Sequence, residues 1–136
     1  MKTVFVLLFS VLALTSCQKL IEAQAENAAL AVVTAGQWKV TSFKKGAEDK
    51  TPLFSSYTFQ FLPNETVDAI KNGVVELNGT WKVNIVARTI TSAFTTSTEP
   101  LLLLNGTYTI TDSSPTTVDA KQTVNGEVWV LHLDKI

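Results

Sequence analysis

The sequence predicts an all-β domain, an eight-stranded antiparallel up-and-down meander closed into a barrel and preceded by one short helix. Three observations carry this. Apolar and polar residues alternate with period two from Trp38 onward, in a composition rich in Thr, Val, Ile and aromatics that suits a pleated, half-buried surface. Turn residues punctuate the alternation at short intervals. No helical pattern long enough for a parallel crossover separates any two strands, so chain neighbours should pair antiparallel. A meander of eight strands leaves two open edges unless it closes, and closure removes both.

The elements follow in order. Residues 18–35 are rich in Ala, Glu and Gln, with Ile21, Ala25, Ala28 and Val32 at helical spacing, which predicts a helix. Its stripe is thin and mostly alanine, so it reads equally as a stalk or as a helix packed across one end of the domain. Strands are expected at 37–43 and 55–62, with the loop 44–51 between them. In the second, Tyr57, Phe59 and Phe61 share one face, and Thr58 and Gln60 the other. Leu62-Pro63-Asn64-Glu65 is a turn by its proline and asparagine. A third strand, 66–71, ends at Asn72-Gly73, the strongest short hairpin signal. The fourth, 74–83, places Val75, Leu77, Gly79, Trp81 and Val83 on one face. The remaining strands are expected at 85–94, 101–111, 117–123 and 127–133, with turns at Asp112-Ser113-Ser114-Pro115 and Asn125-Gly126. Asn-Gly precedes an aromatic at Trp81, Tyr108 and Trp129. There glycine lets a strand bend and a ring covers the gap it leaves.

The first seventeen residues have a different character. Lys2 supplies a basic start, 4–14 supply an apolar run, and small residues precede Cys17. The run falls short of the ~20 apolar residues a membrane helix needs. Leu14-Thr15-Ser16-Cys17 resembles the lipobox of a bacterial lipoprotein signal. That resemblance implies cleavage after Ser16 and a new N-terminal Cys17 bearing diacylglyceryl and an amide-linked acyl chain of the palmitate kind. Cys17 is the lone cysteine, and a single thiol in an oxidising compartment has no disulfide partner, which fits acylation. Gln18 stands where Gram-negative lipoproteins retained at the inner membrane carry aspartate, so the resemblance implies a location in the cell envelope, at the outer membrane of a Gram-negative bacterium. The expected organisation is thus a signal peptide at 1–16, a lipid-anchored helical linker at 17–35, and a barrel domain at 36–136.

About 120 residues remain after the signal (136 less 16), enough for one core. The net charge is −1, and Arg88 is the sole arginine. Charges are interspersed, and no basic run offers the phosphate contacts that nucleic acid requires.

Gly36-Gln37-Trp38 at the head of the first strand, with Tyr57-Thr58-Phe59-Gln60-Phe61 and Gly79-Thr80-Trp81-Lys82-Val83, is similar to the pattern of bacterial lipocalin-like lipoproteins. The resemblance covers 36–136. The family's closing arginine on the last strand is absent, and Lys135 is the basic residue near that position. The resemblance implies non-covalent binding of a small apolar or amphipathic molecule inside the barrel. The residues it would place around that ligand are Trp38, Val40, Tyr57, Phe59, Phe61, Leu77, Trp81, Ile90, Leu102, Leu104, Tyr108, Trp129 and Leu131. The alternative is a solid-cored envelope domain that contacts protein or glycan through its surface, because small barrels are commonly filled by their own side chains.

Catalysis finds no footing in the sequence. His132, the only histidine, alternates with Leu131 and Leu133 and should lie on the outer face. No cluster of His, Cys or carboxylates has metal-ligand spacing. Neither a nucleophile elbow nor a phosphate-cradling loop occurs, so neither enzyme nor cofactor is expected.

Overall fold

In the computed structural model, residue 21 and residues 23–136 are described; the expected signal peptide and the expected anchor Cys17 lie outside them. A helix over 23–34 leads into nine strands. They are β1 (Trp38–Lys45), β2 (Glu48–Asp49), β3 (Tyr57–Phe61), β4 (Thr66–Lys71), β5 (Val74–Asn84), β6 (Thr89–Phe94), β7 (Gly106–Ser113), β8 (Thr117–Val124) and β9 (Glu127–Lys135). From β3 to β9 each strand pairs antiparallel with its chain neighbour. β9 returns to β1 from Trp38↔Lys135 to Lys45↔Trp129 and closes an eight-stranded meander barrel. The expected architecture is therefore present, with β2 as a two-residue ribbon folded back on β1 within the expected loop.

Turn chemistry accounts for the corners. Asn72 and Gly73 have φ of 51° and 81°, and Asn125 and Gly126 have 51° and 80°. Positive φ at both central residues matches the twist of the flanking strands in a type I′ hairpin. At Leu62–Glu65 the Asn64 side chain accepts from the Thr66 amide at 3.2 Å.

The wall obeys alternation. On β5, Gly79 and Trp81 are buried while Glu76, Asn78, Thr80 and Lys82 are exposed. An apolar inside and a polar outside reverse the pattern of a membrane-spanning barrel. Among the described residues no helix is long and apolar enough to cross a bilayer.

Closure is uneven. β1 meets β3 at the single pair Trp38↔Phe59, and the upper part of that seam is filled by the 310 turn Thr51–Phe54. Its Phe54 is fully buried, 5.4 Å from Phe43 ring to ring. A second 310 turn, Leu101–Leu104, follows Pro100 and buries Leu101, Leu103 and Leu104. These two turns plug the end of the barrel remote from the helix.

Three expectations are corrected. Residues 101–104 are a 310 turn and not the start of a strand, because a short apolar run has no periodicity to separate a strand from one buried helical turn. Residues 85–88 form a turn, since the Asn84 side chain accepts from the Ala87 amide at 3.0 Å and Arg88 takes a φ of 56°; the strand begins only at Thr89. The helix rests on the barrel through Leu30, Val32 and Val33. Of the expected stripe, Ile21, Ala25 and Ala28 are exposed, because only the last turns of the helix reach the barrel.

Candidate functional site

Trp38 organises the helix-bearing end. Its ring is 1% exposed, and Nε1 donates to the Val33 carbonyl at 2.9 Å. Lys135 Nζ donates to the Val32 carbonyl at 2.7 Å and lies 5.0 Å above the Trp38 ring, so the last strand's lysine supplies the stacked cation. Gln60 Nε2 donates to the Thr34 carbonyl at 3.3 Å. The last carbonyls of a helix have no partner within it, and here three strands supply the donors. A lysine there also opposes the negative end of the helix dipole. Gly36, at a φ of 79°, is the left-handed residue that lets the chain leave the helix and enter β1.

The barrel interior is filled by side chains. Trp38, Val40, Tyr57, Phe59, Phe61, Trp81, Leu104, Tyr108 and Leu131 are buried in one cluster. Leu77, Ile90 and Trp129 are partly buried against it. Leu102 is the exception: it is 39% exposed, because the 310 turn sends it outward while its three neighbours face in. The residual void, between Phe59, Phe61, Ile90, Tyr108 and Leu131, measures about 40 Å³, room for a few water molecules at most, since one needs about 10–15 Å³. Drug-sized ligands need about 300–1,000 Å³.

A larger space lies at the Trp38 end. Between the helix and the 85–88 and 114–116 turns runs a cleft of about 490 Å³, bounded by Ala29, Val33, Val83, Ile85, Ile110 and Val118, with Trp38 at its floor. Its lining is mostly apolar, with Arg88, Ser113 and Ser114 at the rim. A second hollow of about 390 Å³ continues it past Val83, Asn84 and Ile85 to Ala23 and Val86. Of the residues expected around a ligand, only Trp38 lines this cleft. The missed signal was Ile85-Val86: two aliphatics inside a turn opened by Asn84, where polar residues are the norm.

His132 sits on the outer wall between Asp119 and Asp134, with Nδ1 to Asp119 at 2.5 Å and Nε2 to Asp134 at 3.2 Å. Hydrogen bonding to Asp119 raises its pKa above the ordinary value. Asp134 also accepts from the Thr41 hydroxyl at 2.6 Å, which together with the histidine holds its carboxyl below the usual range. Among the described residues no group of three or more His, Cys, Asp or Glu side chains is placed to hold a metal ion. At the remote end the Tyr57 hydroxyl bonds Glu76, and burial, with Glu76 second, pushes the phenol up to about 12.

Fold and site together define a class: a small, closed, solid-cored antiparallel barrel capped at one end by an N-terminal helix. Among solved structures the same fold occurs in a DUF4847 family protein from Bacteroides vulgatus, with a TM-score of 0.54 and 13% identity over 78% of this chain and 96% of that one. It also occurs in an uncharacterized protein from Bacteroides eggerthii, with a TM-score of 0.53 and 12% identity over 76% of this chain and 99% of that one. At such identities the likeness is one of fold. No family model and no curated protein matches the sequence.

Proposed function

We propose that this chain is a non-catalytic cell-envelope lipoprotein, held at an outer membrane through acylated Cys17, that binds one small apolar or amphipathic molecule in the cleft between helix and barrel. The observation that carries the reading is the distribution of free volume: about 40 Å³ inside the barrel against about 490 Å³ in the cleft. Only the second falls within the range of small-molecule sites. The cleft also pairs an apolar lining with a few polar groups at the rim, the combination that binds a ligand and orients it. The tether is supported by the basic start, the short apolar run and the Leu14-Thr15-Ser16-Cys17 motif. A polar outer wall fits a domain that stands in water while its anchor enters lipid.

Two measurements test this reading. Cys17→Ala should move the protein out of the lipid-labelled membrane fraction into a soluble or unprocessed form; a wild type that takes up no lipid label refutes the tether. An anthroyloxy fatty acid, followed by energy transfer from tryptophan, should bind the full protein in mild detergent. Ile110→Lys should weaken that binding at least tenfold, and Leu104→Ala, which enlarges the interior, should leave it unchanged. The reverse pattern would return the ligand to the barrel interior and refute the cleft.

A further inference from the structure

The cleft and the hollow beside it share Val83, Asn84 and Ile85. Together they form one groove that starts at Ala23 and Val86 and runs along the helix to Trp38. Ala23 is six residues after Cys17. Six residues span at most about 20 Å even when fully extended, so whatever Cys17 carries is held within that distance of the groove's mouth. A ligand on so short a tether is present at an effective concentration in the millimolar range, far above that of a molecule that must arrive by diffusion. Val86 at the mouth is 75% exposed, an aliphatic in the 85–88 turn that lines the same hollow as Ala23.

We propose that the groove is the seat of an acyl chain carried on Cys17 of the same molecule, laid between Ala29, Val33, Val83 and Ile85 and ending over Trp38. This deepens the ligand reading above and rests on it and on the tether. The chemistry fits. A saturated chain presents no hydrogen-bonding group, and the groove's inner stretch is lined by aliphatic side chains. Glu26 and Lys82 flank only the mouth, where the polar glyceryl and amide linkages would lie. Small residues on the helix leave the width: Ala28 and Ala29 face the cleft where larger side chains would fill it. The consequence is an anchor with two states. One chain can lie in the bilayer or be sheathed by its own domain, so the protein could cross water between membranes with less exposed hydrocarbon.

The experiment uses the full protein made in cells fed a diazirine-bearing fatty acid, so that the photolabel is installed on Cys17. The purified protein is placed in nanodiscs of plain phospholipid, irradiated and digested with trypsin. Cleavage after Lys19, Lys82 and Arg88 isolates 17–19 and 83–88 as separate peptides. The expected result is an intramolecular crosslink joining them. Ala29→Trp, which fills the groove, should reduce it at least tenfold with far-ultraviolet circular dichroism unchanged; Ile85→Glu, which leaves the 83–88 peptide intact to trypsin, serves if that variant does not fold. Label on 17–19 without a crosslink to 83–88 overturns this inference and leaves the tether standing. No label on 17–19 overturns the tether itself and this inference with it. In the converse arm, unlabelled protein in nanodiscs of diazirine phospholipid, equal crosslinking of 83–88 would assign the groove to bilayer lipid and overturn the intramolecular seat.

Discussion

Removing the Trp38 side chain tests how the helix and barrel are held together. Trp38→Ala deletes a fully buried ring, and large-to-alanine truncations of this kind cost about 3–5 kcal/mol. Two further losses act at the same place. The Val33 carbonyl loses its Nε1 donor, worth about 1 kcal/mol where water can partly replace it. Lys135 loses the ring beneath it, worth about 0.5–2 kcal/mol. Because these groups share one contact the contributions do not add, and about 4–5 kcal/mol is expected. Trp38→Phe keeps an aromatic floor and removes Nε1, and should cost about 1–2 kcal/mol. Urea unfolding gives both numbers, and hydrogen exchange across 23–34 reports the helix separately. The helix should lose protection in Trp38→Ala before the strands do, since its last carbonyls lose one of three anchors. A cost below about 1 kcal/mol with helix protection unchanged would mean that Trp38 joins neither the core nor the helix, and would refute the docking.

Further expectations follow from single contacts. A Cβ at Gly79 would stand 2.7 Å from both the Ala93 carbonyl oxygen and the Phe94 ring, so Gly79→Ala should cost about 1–3 kcal/mol by overpacking; a neutral result in urea unfolding would show that β5 and β6 are not so close. Tyr108 donates to the buried Leu103 carbonyl at 2.7 Å, and Tyr108→Phe should cost about 1–3 kcal/mol by leaving it unpaired. Burial holds that phenol up to about 12, so absorbance titration should find it un-ionised at pH 10.5, and ionisation near 10 would contradict its place in the core. The raised pKa of His132 means that its contribution is complete below the unfolded value of about 6.5 and is lost as pH rises through the higher folded value. The pair is partly exposed, so the effect should stay under about 1 kcal/mol. His132→Gln should therefore destabilise more at pH 5 than at pH 9, with the wild-type imidazole titrating above 6.5 by NMR; a midpoint at or below 6.5 counts against the Asp119 contact.

Alternation carried the wall because a strand's period of two leaves little freedom: Tyr57, Phe59 and Phe61 face inward together, and Asn-Gly at 72–73 and 125–126 turns the chain as its positive φ requires. Where period gave out, so did the reading. Leu101–Leu104 has no polar residue to mark a face, and the turn at 85–88 hides behind aliphatic residues that only the Asn84 side chain betrays. The helix stripe misled for another reason. Spacing shows which residues share a face, but not how much of the helix reaches the barrel, and Ile21 remains 66% exposed. Whether the interior is full is a matter of summed volumes across strands far apart in sequence. It is settled partly by Phe54, Leu101 and Leu103, which arrive from segments outside the wall.

That filling bears on where a ligand could sit. A barrel with a void of about 40 Å³ and plugs at one end gains stability from dense packing, and opening it for a ligand would sacrifice those contacts. The helix–barrel junction carries no such cost. Its polar anchors lie at Val32, Val33 and Thr34, all in the last turn. Before Leu30 the helix is exposed or offers only small residues such as Ala28 and Ala29 to the cleft, which bury little surface and hold it weakly. Regions with few buried apolar contacts open at lower free energy than the core. Free volume, apolar lining and ease of opening therefore coincide beside the helix, and a ligand can enter there while the closed sheet stays intact. Ala28→Leu with Ala29→Leu should bring the opposite outcome: added burial that stabilises the domain by about 1–3 kcal/mol, together with loss of fatty-acid binding. Stabilisation with binding retained would show that the ligand does not pass between helix and barrel.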